Sequence, residues 1–146
     1  MDGLTCDIRG HGGHCTIDVL RYENDAAQNV NDANWLSCHV AVAGPRCRIE
    51  TAAAFTTHEI KDFTESLRRA VQTLDGTAAF ETMEQALTLR IQVSKSGTAK
   101  VAGVLRVDEV WTVNVSFAFE SDQSFLQDTV RQLDAIGRVF PPKGRW

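Results

Sequence analysis

The sequence lacks any apolar run that approaches the ~20 residues needed to cross a bilayer. Its first residues, Met1-Asp2-Gly3-Leu4, have neither the basic start nor the apolar stretch of a secretory signal. Polar tracts and repeats are also missing, which excludes a disordered chain and a solenoid. We therefore expect a protein that stays in the cytoplasm and does not bind membranes.

Catalytic signatures are missing as well. The sequence contains no G-x-S-x-G, no P-loop, no H-E-x-x-H and no dinucleotide-binding fingerprint, which argues against an enzyme. With 146 residues, of which 43% are hydrophobic, the chain is long enough to bury one sizeable core. We expect a single domain over residues 1–146, with a loose N-terminus at 1–13 and a tail at 141–146.

The four cysteines form no close pairs in the sequence. Without a secretory signal we expect reduced thiols, and Cys38 and Cys47 fall on the apolar phase of predicted strands, where a thiol packs like a small hydrophobic group. We therefore expect no metal and no cofactor. The alternative is a zinc site, whose spacing matches no usual finger, built from Cys6, His11, His14 and Cys15.

The charge is concentrated at one end of the chain. The net charge of −4 and the pI near 5.5 argue against direct nucleic-acid binding. Residues 1–34 hold six acidic and two basic side chains, whereas the remaining residues hold thirteen of each. This segment is either a solvated surface or the place where a cationic partner binds.

Alternating apolar and polar residues predict several strands. One runs from His14 to Tyr22, and a second, from Leu36 to Val42, is followed by the turn Gly44-Pro45 and a return strand that starts at Cys47. Four more β segments are predicted near residues 78–80, 87–93, 101–106 and 111–119. The side of the last strand that carries Trp111, Val113, Val115, Phe117 and Phe119 is predicted to be core.

Two amphipathic helices are predicted. Thr56 and Glu59 have the spacing of a capping box at the start of the first helix, and Gly76 is expected to end it. The second helix is expected to be capped near Ser121 or Asp122 and to end before two prolines. The apolar stripes of the helices are formed by Ile60, Phe63, Leu67, Val71 and Leu74, and by Phe125, Leu126, Val130, Leu133, Ile136 and Val139.

The predicted order of elements is β-β-β-α-β-β-β-β-α. This order favours an α+β fold, in which a meandering, largely antiparallel curved sheet of about six to seven strands carries both amphipathic helices on one face.

Several of these landmarks together are typical of a known family. They are Asp32-Ala33-Asn34-Trp35-Leu36 before a strand, the helix from about Thr57 to Leu74, the stretch from Phe80 to Glu84 before the strand Leu87 to Val93, and Asp122-Gln123-Ser124-x-Leu126 at the start of the last helix. From about Cys15 to Pro141 the chain resembles the WapI family of bacterial immunity proteins.

The resemblance implies a cytoplasmic antitoxin that neutralises the toxin domain of a contact-delivered polymorphic toxin by binding it, with no catalytic residues. The toxin is a nuclease or has another activity, and the oligomeric state is not fixed by the sequence. Candidate partner-binding residues in the acidic segment are Asp18, Glu23, Asp25, Asp32 and Asn34. The alternative interpretation is structural: helix capping and hydrogen bonding within turns are then the roles of Asp32, Asn34, Glu84 and Asp122.

The alternative function is that of a small enzyme or ligand-binding domain. Its pocket would lie between the sheet and the helices. Its functional groups would come from His39, His58 or the cluster of His11, His14 and Cys15. No carboxylate or nucleophile near His39 in the sequence is placed to serve it as a base.

Overall fold

The computed structural model describes residues 4–23, 33–108 and 113–144. Within these ranges it contains eight strands and two helices. In chain order they are β1 (Leu4–Arg9), β2 (His14–Tyr22), β3 (Trp35–Ala43), β4 (Arg48–Thr56), α1 (Thr57–Thr73), β5 (Gly76–Phe80), β6 (Leu87–Val93), β7 (Thr98–Asp108), β8 (Val113–Asp122) and α2 (Gln123–Val139).

The strands form two antiparallel sheets of four strands each, and both sheets are simple meanders. Sheet A has the order β1-β2-β3-β4, and sheet B has the order β5-β6-β7-β8. The predicted α+β class is therefore confirmed, but the predicted single sheet of six to seven strands is wrong. Each meander is followed by one helix, so the two halves of the chain repeat the same topology.

Strand β1 is one element that was not predicted. Leu4–Arg9 pairs along its whole length with β2, and Cys6 and Ile8 point into the core. The expectation of a loose N-terminus is thus wrong from Leu4 onward. Apolar and polar residues alternate over all six residues of β1, so the pattern that indicates a strand is present in the sequence.

Each helix packs on the first strand of the opposite half, α1 on β5 and α2 on β1, and the helices contact each other. The expectation that both helices lie on one face of one sheet is therefore wrong.

Along the outer edge of β1, Thr129 donates to Asp7 O over 2.9 Å, Asp7 N donates to Gln132 Oε1 over 2.7 Å, and Ser121 donates to Arg9 O over 2.6 Å. These bonds satisfy the backbone of an edge strand that would otherwise be available to other chains.

The first hairpin of each half also reaches the helix start of the other half. His11 N donates to Glu120 O, just before α2, over 2.7 Å. Met83 N, in the turn between β5 and β6, donates over 2.6 Å to Glu59 Oε2 in the first turn of α1. The two halves are therefore tied together by matching contacts.

The predicted helix caps are confirmed. The Thr56 side chain accepts from Glu59 N over 3.1 Å, and Thr56 N donates to Glu59 Oε1 over 2.8 Å, which completes the capping box. Asp122 caps α2 by accepting from Phe125 N over 3.1 Å. Helix α1 ends earlier than predicted, because Leu74, with φ of 52°, adopts the left-handed conformation in place of Gly76.

One core joins the inner faces of both sheets with the apolar stripes of the helices. Phe63, Leu67 and Leu126 are fully buried in it. Phe117 and Phe119 of β8 are only half-buried, so this side of the strand is not the fully buried core that the alternation predicts. The reason is that β8 is the last strand of sheet B. Trp111 lies outside the described residues.

The described part of the predicted tail is held in place. The Tyr22 hydroxyl donates to Pro141 O over 2.6 Å, and the ammonium group of Lys143 lies 3.7 Å from the centroid of the Tyr22 ring. The segment predicted as a tail at 141–146 thus contacts the rest of the fold at Pro141 and Lys143. These contacts place the C-terminal segment beside Tyr22, which lies within the acid-rich residues 1–34.

Candidate functional site

The outer face of sheet A carries one of the predicted partner-binding residues. Asp18 lies on β2 and is 37% exposed in its side chain. Its Oδ1 accepts from the Thr5 hydroxyl over 2.6 Å, and its Oδ2 lies 3.7 Å from Nδ1 of His39. The carboxylate is thus held in position while part of it stays open to a partner.

Glu23 follows the last residue of β2 and is exposed. Its backbone N–H donates to Trp35 O over 2.8 Å, which fixes the chain where it leaves the sheet. The side chain is therefore presented from an anchored backbone. Asp25 and Asp32, the next two predicted residues, lie outside the described residues.

Asn34 has a different environment from the other predicted residues. It is completely buried. Its amide oxygen accepts from Lys143 N and from the Thr57 hydroxyl, each over 2.7 Å, and its amide nitrogen donates to Lys143 O over 2.8 Å. This side chain holds the fold together, as the structural reading of the Asp/Asn cluster predicts, and its amide is inaccessible to a partner in this structure.

His39 lies between two carboxylates that the sequence separates from it. Its Nδ1 is 3.7 Å from Asp18 Oδ2, and its Nε2 is 3.8 Å from Glu50 Oε1. Asp18 is opposite His39 on β2, and Glu50 comes from β4, which also pairs with β3. Strand pairing brings these three side chains together, with Glu50 diagonal to His39 because it is opposite Ala41. Inspection of neighbouring sequence positions could not find this row.

Two arginines of the flanking chain, Arg9 and Arg48, are also paired. Arg48 donates to Glu50 over 2.9 Å, and Arg9 lies 3.7 Å from Asp7. Exposed pairs of this kind contribute roughly 0–1 kcal/mol each, so they order the surface more than they stabilise the fold.

Of the surplus of four negative charges in residues 1–34, only one lies on the described residues, since Asp2, Asp25 and Asp32 are outside them.

The alternative zinc site does not assemble. Cys6 and Cys15 are fully buried in the core, whereas His11 lies at the surface with its Nε2 3.2 Å from Asp122 Oδ2. Burial raises the pKa of Cys15 to about 12, and it raises the pKa of Cys6 further, which disfavours the thiolates that zinc requires. Among the described residues, no three His, Cys, Asp or Glu side chains form a group that could hold a metal.

The other two cysteines have different environments. Cys38 is buried on β3, as predicted, and burial raises its pKa to about 12. Cys47 is exposed and precedes β4, which begins at Arg48. The prediction that Cys47 is a buried strand residue is therefore wrong, because it belongs to the turn after Gly44-Pro45.

The structure provides little for the alternative of an enzyme or ligand-binding domain. His58 lies in the first turn of α1, His11 in the first hairpin and His39 on β3, so the three side chains come from different elements. Within the described chain, the polar partners of His39 are the carboxylates of Asp18 and Glu50, with no nucleophile among them. Between the two helices there is an open groove of about 300 Å³, crossed by the ion pair of Arg68 and Asp134.

Neither helix of the described chain is long and apolar enough to cross a membrane.

Comparisons with known proteins give one family and one fold. No curated protein matches the chain. Among solved structures, the plant transcriptional regulator PBF-2 has a similar fold, with a TM-score of 0.51 and 9% sequence identity over 98% of this chain and 90% of the other. At that identity the similarity shows the fold alone. The model of the immunity protein WapI-like family matches residues 7–141, which is nearly the whole chain. The protein therefore belongs to the WapI-like immunity protein family.

Proposed function

We propose that this protein is an immunity protein that binds and neutralises the toxin domain of a contact-delivered bacterial polymorphic toxin. The observation that carries the proposal is the family match over residues 7–141. Neutralisation by binding needs a surface and no catalytic residue. The protein would act in the cytoplasm, where the delivered toxin meets its target.

We further propose that the acidic segment from Asp18 to Asp32 contacts a cationic surface of the toxin. Support comes from the exposed side chains of Asp18 and Glu23, which project from an anchored part of sheet A. A nuclease toxin would present such a cationic surface because it must hold phosphates. Opposite charges on the two proteins would accelerate association and would block the nucleic acid from the same surface.

The test uses the purified toxin domain encoded next to the gene of this protein. Association and dissociation rates are measured at several salt concentrations for the wild type and for Asp18→Asn with Glu23→Gln. We expect slower association and a weaker salt dependence, with an unchanged melting temperature, because each amide keeps the shape of the carboxylate and one acceptor oxygen, which at position 18 can still accept from the Thr5 hydroxyl.

Asp62→Asn with Glu65→Gln is the matched control, since both residues are exposed on α1 and the change in net charge is the same. If the wild type does not bind the neighbouring toxin, the immunity proposal is overturned. If the toxin binds and both double variants behave alike, the immunity function stands and the acidic segment is not the contact surface.

A further inference from the structure

The outer face of sheet B carries cations that have no acidic partner. Arg90 of β6 and Lys100 of β7 are exposed, and Arg106 of β7 is partly buried. None of the three lies within 4.0 Å of a carboxylate in the described chain, although Glu120 is opposite Lys100 in the register of β7 and β8. On sheet A, Arg9 and Arg48 are paired, whereas the exposed Arg21 of β2 has no carboxylate within 4.0 Å among the described residues.

The surface between these cations is built from small side chains. Strand register places Arg90 in a row with Ala102 and Ala118, and it places Thr88 in the next row with Val104 and Ser116. All of these residues except Ala118 line an open groove of about 710 Å³, which Glu81 and Gln85, between β5 and β6, also line. No side chain in these two rows other than the arginine is larger than valine, so the backbone of a partner can approach closely.

An unpaired cation on a surface favours an acidic partner, since a carboxylate can then form a charge-assisted hydrogen bond without displacing an existing one. Two classes of acidic partner are available, a protein segment and a nucleic acid. Binding of single-stranded nucleic acid relies on aromatic rings that stack on bases. Among the described residues that line this groove, Phe117 is the one aromatic side chain. It has the opposite phase to the outward-facing residues and is half-buried, so the face offers a single ring and no series of rings on which successive bases could stack. The net charge of −4 also disfavours nucleic acid.

We propose that the outer face of sheet B is a second docking surface, which binds an acidic segment of the toxin domain through Arg90 and Lys100. The proposal rests on the proposed function, because the toxin is the occupant. It adds that the toxin must present a negative patch to sheet B as well as the positive patch expected opposite Asp18 and Glu23.

The experiment compares two double variants for binding to the toxin domain encoded next door. Arg90→Glu with Lys100→Glu reverses the charge of the proposed surface, and Lys61→Glu with Arg69→Glu makes the same change on the exposed face of α1. We expect the first variant to lose roughly tenfold or more in affinity, since like charges then face each other. The control should stay within about twofold of the wild type, because exposed charges away from the contact are screened by salt.

A zero-length carbodiimide cross-link gives a readout that long-range charge effects do not produce. In the complex, the Lys100 amine should form an amide with an Asp or Glu of the toxin, with loss of water, and Lys61 should not. Peptide mass spectrometry identifies the joined residues.

The results separate the two proposals. If the wild type binds the toxin, but both variants bind equally well and Lys100 forms no cross-link, the second docking surface is overturned while the immunity function stands. If the wild type does not bind the toxin at all, both proposals fail. A fluorescent single-stranded 20-mer that binds the wild type, and no longer binds Arg90→Glu with Lys100→Glu, would overturn the acidic segment in favour of a nucleic acid.

Discussion

Asn34 holds both backbone polar groups of Lys143, a residue 109 positions away in the chain. Its Oδ1 accepts from Lys143 N over 2.7 Å, and its Nδ2 donates to Lys143 O over 2.8 Å. The same Oδ1 accepts from the Thr57 hydroxyl over 2.7 Å. One buried amide therefore joins the start of β3, the start of α1 and the C-terminal segment.

Replacing Asn34 with Ala should lower the free energy of unfolding by about 2–4 kcal/mol, because three hydrogen bonds are lost and partly buried backbone groups of Lys143 are left without this partner. Urea denaturation measures the change. Asn114→Ala, at an exposed position of β8, is the control and should stay within about 0.5 kcal/mol of the wild type. An equal effect of the two substitutions would contradict the role assigned to Asn34.

The sequence predicted the local features of the fold well. Strand β2 and the capping box of Thr56 and Glu59 lie where the pattern places them, because alternation and cap spacing are set by neighbouring residues. The division into two sheets could not be predicted, since alternation says which side chains are buried but not which strands pair. The half-burial of Phe117 follows from the edge position of β8, which is a property of the sheet and not of the strand.

The candidate site was predictable only in part for the same reason. The surplus of acidic residues pointed to Asp18 and Glu23. The row of Asp18, His39 and Glu50 depends on the register of three strands, and the unpaired state of Arg90 and Lys100 depends on the positions of all their neighbours. Neither can be read from spacing along the chain.

The core should respond differently to two truncations. Leu67 is fully buried in α1, so Leu67→Ala should cost about 2–5 kcal/mol through lost burial and a cavity. Phe117 is half-buried and its ring lies against Gly103 of β7, where even an added Cβ would be 2.6 Å from the ring. Because the ring already contacts water, Phe117→Ala should cost less than the roughly 3–5 kcal/mol of a fully buried phenylalanine. Thermal melts of both variants test the order, and a larger loss for Phe117→Ala would be inconsistent with its exposure.

The cap of α2 should depend on hydrogen bonding more than on charge. Asp122→Ala removes the acceptor for Phe125 N and should cost about 0.5–2 kcal/mol. Asp122→Asn keeps an acceptor oxygen and should recover most of that loss, although the contact between Asp122 and His11 would lose its charge. Chemical denaturation of the two variants separates these contributions. Equal losses for Ala and Asn would show that the carboxylate charge, through His11 or the helix dipole, outweighs the capping hydrogen bond.

The buried thiols should make the protein sensitive to alkaline pH. Burial raises the pKa of Cys15 and of Cys38 from 9.0 to about 12, and it raises that of Cys6 as well. A pKa that is higher in the folded state favours the protonated thiol there, so this contribution to stability is complete below pH 9 and is lost as the pH rises from about 9 to about 12. In that range each thiol that ionises only after unfolding lowers the free energy of unfolding by up to about 1.4 kcal/mol per pH unit.

Urea denaturation across this range should show the decline, and Cys38→Ala should make it shallower than in the wild type. Cys47→Ser, at the exposed cysteine, should leave the slope unchanged, and a slope that depends on Cys47 instead of Cys38 would refute the assignment.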